Sequence, residues 1–342
     1  MTDMAIQDPR AVGALTDQML DHLETVIVGK RDLLRLVLAA VFADGHVLLE
    51  DVPGVAKTAT ARAIAQACGL DFSRVQFTPD LIPADITGAT VYDPSNASTE
   101  FRPGPVFANL VLGDEINRAP PKTQSALLEA MEERQVTVDG QTRALPTPFV
   151  VFGTQNPIES EGTYPLPEAQ LDRFLIRTGI GYPDHDNEVD LILRRAARGT
   201  DSAVIPAILD PESTRAVQLA VETVHVSAPV AHYIVDIVDG TRQNPRTEAG
   251  ASPRGSLGLL KMARAWAAMG GRNYVLPDDV KAMSVPTLSH RLLLMPDQWV
   301  RGVQPFEVIS EVVEMIPAPP ATDAGEDIGS VPQPLTFGDA PQ

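Results

Sequence analysis

The sequence predicts an α/β domain built on a parallel sheet, followed by an all-α domain. Three observations carry this reading. Short apolar runs alternate with helical patterns up to about residue 183, as strands joined by crossover helices do. Three of those runs end in polar groups of related chemistry: Asp51-Val52-Pro53-Gly54-Val55-Ala56-Lys57-Thr58, then Asp114-Glu115, then Asn156. Beyond Tyr182-Pro183 the strand patterns stop and helical ones run to about 315. Lys-Thr, Asp-Glu and Asn along one edge of a parallel sheet are what a hydrolytic nucleotide site requires.

Each element follows from its local pattern. Residues 14–43 read as two helices, because Leu15, Met19, Leu23, Val26 and Ile27 recur at helical spacing. His46 to Glu50 is a short buried strand, and Thr58 to Cys68 a helix rich in good formers such as Ala61, Ala63, Ala65 and Ala67. Ser73 to Thr78 is a second strand. From Pro79 to Pro105 the pattern breaks into Pro, Gly, Asp and Asn, which predicts an inserted functional element rather than a linker. Val106 to Asp114 restores the strand pattern, and Pro120 to Glu133 is helical. Residues 135–143 alternate around Asp139-Gly140, a hairpin signal. Phe149 to Gly153 and Leu175 to Ile180 complete the strands. Helices are predicted at about 187–198, 211–225, 229–242, 253–269 and 277–284. The expected domains are therefore 1–183 and 184–316. A disordered tail is expected over 317–342, which holds six prolines, four acids and no base.

Composition narrows the function. The chain has 342 residues, 44% of them apolar, and a net charge of -18. Such an acidic balance argues against charge-driven binding to nucleic acid or anionic lipid. No run approaches the length of a membrane helix. The first ten residues show no basic segment followed by an apolar one, so a secretory leader is not expected. Cys68 is the single cysteine, which fits a reducing, cytoplasmic setting. The six histidines show no metal-ligand spacing and are expected at surface or capping positions. No Gly-x-Ser-x-Gly occurs, so nucleophilic catalysis has no support.

The polar strand ends define the expected chemistry. A phosphate-binding loop turns backbone N–H groups and a helix N-terminus toward phosphates, with a lysine on the outer phosphates and a hydroxyl on magnesium. Lys57 and Thr58 fit those parts. The strict pattern, with glycine at 51 and 56, is not met: Asp51 and Ala56 stand there. Asp114 is expected to bind magnesium, and Glu115 to polarise the attacking water as general base. Asn156 offers an uncharged amide to orient that water. Hydrolysis also needs positive charge against the transition state, often an arginine from a neighbouring subunit. Arg173, Arg254 and Arg118 are the candidates.

These motifs resemble the MoxR family of AAA+ ATPases over roughly 15–315. The resemblance rests on Leu49 to Thr58, on Phe-Arg-Pro-Gly-Pro-Val-Phe-Ala-Asn (101–109), on Asp114 to Glu133, and on Thr154 to Phe174. It implies an AAA+ P-loop parallel-sheet domain followed by an all-α lid domain. It implies ATP and Mg as cofactors, with Pro53, Gly54, Val55, Ala56, Lys57 and Thr58 around the phosphates and Thr58 and Asp114 on the metal. Glu115 becomes the base, Asn156 sensor 1, Arg173 the finger acting on a neighbour, and Arg254 sensor 2. Val28 and Gly29 resemble the adenine-flanking segment, where the family usually follows with glutamine and this chain has Lys30. Residues 79–105 resemble the helix-2 insertion, and 134–145 the hairpin before sensor 1, both facing a central opening. The resemblance further implies a hexameric ring, a companion with a von Willebrand factor A domain, and a chaperone-like action on clients that are often metal-containing enzymes. The competing readings are a nucleotide-switched scaffold with incidental hydrolysis and a nucleic-acid motor, which the acidic charge disfavours.

Overall fold

Side chains alternate across a strand, so a strand buried on both faces must be apolar throughout. The computed structural model, which describes residues 8–95, 98–156, 162–200 and 204–320, has such strands at its centre. They are β1 (Val47–Glu50), β5 (Leu110–Asp114) and β8 (Val150–Gln155), flanked by two more polar and more exposed edge strands, β2 (Phe72–Gln76) and β9 (Ile176–Thr178). They form one sheet in the order β2-β5-β8-β1-β9. All of its pairings are parallel. Val47, Leu49, Leu110, Leu112, Val150 and Phe152 enter one apolar cluster. Leu48, Val111 and Val151 enter another on the opposite face.

The first cluster takes in α1 (Val12–Leu23), α2 (Arg31–Phe42) and α3 (Lys57–Ala67). It runs on without a break into the helical lobe, through Tyr233, Leu259, Met262 and Trp266. The two predicted domains thus share one core. Gly13 of α1 shows how close the contact is: an added Cβ would lie 3.0 Å from the backbone nitrogen of Gly271. The second cluster packs α5 (Pro121–Glu133) and the inserted element against the sheet.

The 79–105 insertion holds a short helix, α4 (Pro83–Thr87), and an antiparallel hairpin, β3 (Gly88–Asp93) with β4 (Ser98–Pro103). The strand expected from Val106 starts later, at Leu110, because Pro105–Phe107 forms a 3-10 turn. The second hairpin is β6 (Gln135–Val138) with β7 (Gln141–Ala144). Its turn residues Asp139 and Gly140 both have positive φ, 52° and 74°. That is the twist a two-residue hairpin turn needs.

After α6 (Glu168–Leu171) and β9, the chain crosses into the helical lobe. Its helices are α7 (His185–Arg198), α8 (Pro211–Glu222), α9 (Ala228–Gln243), α10 (Pro253–Met269) and α11 (Pro277–Leu288). The lobe adds a small antiparallel pair, β10 (Thr247–Ala249) with β11 (Leu293–Leu294), before α12 (Pro296–Val300) and α13 (Pro305–Met315). Two histidines depart from the expected surface placement. His46 and His290 are buried at 5% and 4% exposure, each bonded to backbone. Of the predicted tail, residues 321–342 lie outside the described residues.

Candidate nucleotide site

Parallel strands aligned in one sheet bring their carboxyl ends to one edge, and the loops there build the site. Pro53, Gly54, Ala56, Lys57, Thr58, Ala59, Asp114, Glu115 and Asn156 line a single cavity of about 410 Å³. The loop after β1, the end of β5 and the end of β8 supply them. Helix α3 begins at Lys57, so its first N–H groups open toward this cavity. The Val55 side chain is 5% exposed and packs in the core, so only its backbone is available to phosphates.

Ala56, where the strict loop has glycine, holds the left-handed backbone glycine would adopt, with φ 61° and ψ 24°. The tight turn into α3 demands this conformation whatever the residue. Lys57 donates from Nζ to the backbone carbonyls of Asp51 at 2.5 Å and Gln155 at 3.3 Å. The first carbonyl lies one residue past β1 and the second ends β8, so the ammonium sits between two strand ends.

Asp114 is 8% exposed. Its Oδ1 accepts from Thr154 Oγ1 at 2.6 Å, and its Oδ2 from Arg74 Nη2 at 2.7 Å and Nε at 3.0 Å. Thr154 Oγ1 also accepts from the Glu115 N–H at 2.8 Å, so one hydroxyl positions both acids. Glu115 has φ 57°, a left-handed backbone uncommon for a non-glycine residue and typical of functional sites. Its Oε2 accepts from Gln76 Nε2 at 2.8 Å and from Arg118 Nη1 at 2.9 Å. Arg118 is thus the candidate arginine that stands beside Glu115 of its own chain.

The other two arginines lie elsewhere. Arg173 and Arg254 both pair with Glu132 of α5, at 2.7 Å and 2.5 Å. Arg254 supplies the larger part, and Arg173 a further part, of what holds the Glu132 carboxyl below its ordinary value. Glu132 and Arg173 line a second cavity, of about 250 Å³, that shares no lining residue with the first. Val28 and Gly29 are likewise apart from the phosphate cavity lining. Gly29, with φ 69°, lies against α7: an added Cβ would come within 2.2 Å of Asn187 Nδ2.

Sequence reasoning missed Arg74, Gln76, Thr154 and Glu132. The first two had a signal, since residues two apart on a strand share a face. In the parallel register Gln76 stands opposite Asp114 and Arg74 opposite Leu112. Glu132 had none, because its two partners arrive from distant segments.

Magnesium fits the donor set. A hydroxyl from Thr58 and a carboxylate from Asp114 are hard oxygen donors on one cavity wall, and magnesium is usually held by one or two carboxylates with water and substrate phosphates. Among the described residues there is no cluster of three His, Cys, Asp or Glu side chains able to hold a metal without such help.

Comparison with known proteins agrees with this geometry. Residues 46–176 match the family "ATPase family associated with various cellular activities (AAA)", and residues 239–312 match the AAA lid domain. The chain is 48% identical to the uncharacterized protein YeaC of Bacillus subtilis, over 89% of this chain and 95% of that one. It is 40% identical to Chaperone MoxR1 of Mycobacterium tuberculosis, over 92% of this chain and 85% of that one. The crystal structure of a Cytophaga hutchinsonii protein superposes with a TM-score of 0.84 at 36% identity, over 90% of this chain and 95% of that one. With a parallel five-stranded sheet, a helical lobe and relatives of this similarity, the chain belongs to the MoxR family of AAA+ ATPases.

Proposed function

We propose that this chain is a magnesium-dependent ATP hydrolase that uses nucleotide turnover to remodel or activate a partner protein. The observation that carries the reading is the meeting of Lys57, Thr58, Asp114, Glu115 and Asn156 on one cavity, at the N-terminus of α3. Lys57 exchanges its two carbonyl partners for phosphate oxygens. Thr58 and Asp114 hold magnesium, which supplies charge neutralisation between phosphates. Glu115 takes a proton from the attacking water, and Asn156 orients that water. For Glu115 to act, its carboxylate leaves Gln76 and Arg118. The experiment is Glu115→Gln: calorimetry should still detect uptake of MgATP, while phosphate release falls about 10²- to 10⁴-fold. Turnover at the unsubstituted rate in that variant would refute the assignment of the base.

Hydrolysis is proposed to work between subunits. Arg173 serves a neighbour's triphosphate, a role supported by its separation from the phosphate cavity of its own chain. Arg254, which shares Glu132 with Arg173, is proposed as sensor 2 of the lid. A hexameric ring, a companion with a von Willebrand factor A domain and a client that is a metal-containing enzyme are proposed from family resemblance. The name of the Mycobacterium tuberculosis relative supports a chaperone action. Cytoplasmic residence fits the single cysteine, Cys68, whose buried thiol is pushed up to about 12. No helix among the described residues is long and apolar enough to cross a membrane.

The hold of Gln76 and Arg118 on Glu115 gives a second reading some standing, in which the chain is a nucleotide-switched scaffold with incidental hydrolysis. A non-hydrolysable analogue that supports full partner activation would favour it.

A further inference from the structure

Asp51 replaces the first glycine of the strict phosphate loop, and it is 6% exposed. A buried carboxylate persists only when partners satisfy its lone pairs. Its Oδ1 accepts from the adjacent Val52 N–H at 2.8 Å. Its Oδ2 accepts from the backbone N–H groups of Ile180 at 2.7 Å and Gly181 at 2.5 Å. Those two residues lie between β9, the last strand of the five-stranded sheet, ending at Thr178, and the first helix of the lid lobe, starting at His185. They are the covalent crossing between the lobes. The approach is tight: a Cβ added at Gly179 would lie 3.1 Å from the Glu50 carbonyl and 3.3 Å from Asp51 Oδ2.

Lys30 serves the same crossing from another side. Its Nζ donates to the Tyr182 carbonyl at 2.8 Å. Burial lowers its pKa, and the carboxylates of Asp51 and Asp184 oppose that loss of charge. Three consecutive residues, 180 to 182, are thus held by one acid and one base from two other segments. The main chain of Asp51 faces the other way, since its carbonyl accepts Lys57 Nζ. A single residue therefore touches the phosphate-loop lysine with its backbone and the lobe crossing with its side chain.

We propose that Asp51 and Lys30 form a bracket that positions the lobe crossing and transmits to it whether Lys57 is on the Asp51 carbonyl or on a phosphate. This rests on the ATPase reading above. The two residues are positioning residues, and neither is assigned contact with the reacting atoms. Acid and base at these two places complement each other, which gives a joint reason for both departures from the expected pattern.

The test is hydrogen exchange of the backbone at 179–184 in the full chain, with and without Mg and a non-hydrolysable ATP analogue. Calorimetry on the same samples reports uptake. The unsubstituted chain should change exchange there by about fivefold or more on binding. Asp51→Asn and Lys30→Gln should still take up nucleotide but lose most of that change, and Lys30→Arg should keep it. A purely structural role would lower stability without removing the dependence on nucleotide. The full change surviving in Lys30→Gln, or uptake by the unsubstituted chain with no change at 179–184, would overturn the bracket. No uptake by the unsubstituted chain would instead overturn the ATPase reading.

Discussion

Arg173 of the α/β lobe and Arg254 of the helical lobe meet on one carboxylate, that of Glu132. Arg173 donates to Oε2 through Nε at 2.8 Å, and Arg254 donates to Oε1 at 2.5 Å. A guanidinium carries five N–H donors, so this contact holds each arginine by one edge and leaves donors for an incoming anion. The segment is also fastened to the lid. Asp172 accepts from Arg291 Nε at 2.6 Å and from Ser252 Oγ at 3.0 Å. Any movement of the helical lobe therefore bears on the placement of Arg173. The separation of this cluster from the Lys57 cavity suits action on a second subunit.

Arg173→Ala should therefore lose hydrolysis by about 10³-fold or more while still binding nucleotide. Lys57→Ala should be inactive for the opposite reason, because its own cavity is spoiled while its arginine face is intact. Mixing the two variants should restore part of the phosphate release, since Lys57→Ala subunits present Arg173 to the intact cavities of Arg173→Ala subunits. No recovery in a mixture shown to co-assemble would count against action between subunits.

Ala56 holds a left-handed backbone at the entry to α3. For an L-residue other than glycine this costs about 1–2 kcal/mol. Ala56→Gly removes that strain, while the freer glycine stabilises the unfolded chain by about 0.4–1 kcal/mol. The net expectation is a gain of about 0–1.6 kcal/mol, read as a higher urea midpoint with an unchanged slope. A lower midpoint would mean that the methyl group is held by contacts stronger than the strain.

How much of this was legible follows from where the information lies. Lys57, Asp114 and Asn156 each stand at or just past the end of an apolar run, and parallel pairing aligns such ends. Their convergence on one edge is thus readable from spacing. The inward turn of the Val55 side chain is not readable in the sequence, because a loop has no burial period. Arg74 and Gln76 show in their strand's own pattern, two apart on one face, whereas Thr154 depends on which strand becomes its neighbour and Glu132 on the docking of two lobes, neither of which one strand's pattern records. β11 has two residues, too few for alternation to be visible. His46 and His290 were misplaced because imidazole is polar, whereas backbone partners on each ring make burial tolerable.

His46 leads to a prediction about pH. Its Nδ1 accepts from the Val151 N–H at 3.0 Å, so Nε2 carries the proton toward the Met131 carbonyl at 3.1 Å. Burial above all, with the nearby Arg134 charge, lowers its pKa to about 3 from the ordinary 6.5. The folded state keeps the ring neutral, and the unfolded chain protonates it first. The stability from His46 is complete above about pH 6.5 and falls as pH drops toward about 3, at about 1.4 kcal/mol per pH unit. Urea unfolding at about pH 7.5 and about pH 5 should show this loss in the wild type, and His46→Gln should show about 2 kcal/mol less of it. Equal losses in both proteins would remove His46 from the acid response.

Removal of a nearly buried ion pair in the lid lobe separates charge from packing. Arg272 and Asp279 side chains are 10% and 3% exposed. They face each other through two bonds, Nη1 to Oδ2 at 2.7 Å and Nη2 to Oδ1 at 2.6 Å. Asp279 Oδ2 also accepts from the Leu276 N–H at 2.7 Å, at the start of α11. Asp279→Ala leaves a buried guanidinium without its counter-charge and should cost about 3–5 kcal/mol. The double variant Arg272→Met, Asp279→Leu removes both charges and keeps most of the volume, so it should cost less than the single one. Urea unfolding compares the two, and hydrogen exchange over α10 and α11 shows whether the loss is confined to the lid. If the double variant were the less stable of the two, the pair would be holding the lid by attraction beyond what desolvation takes away.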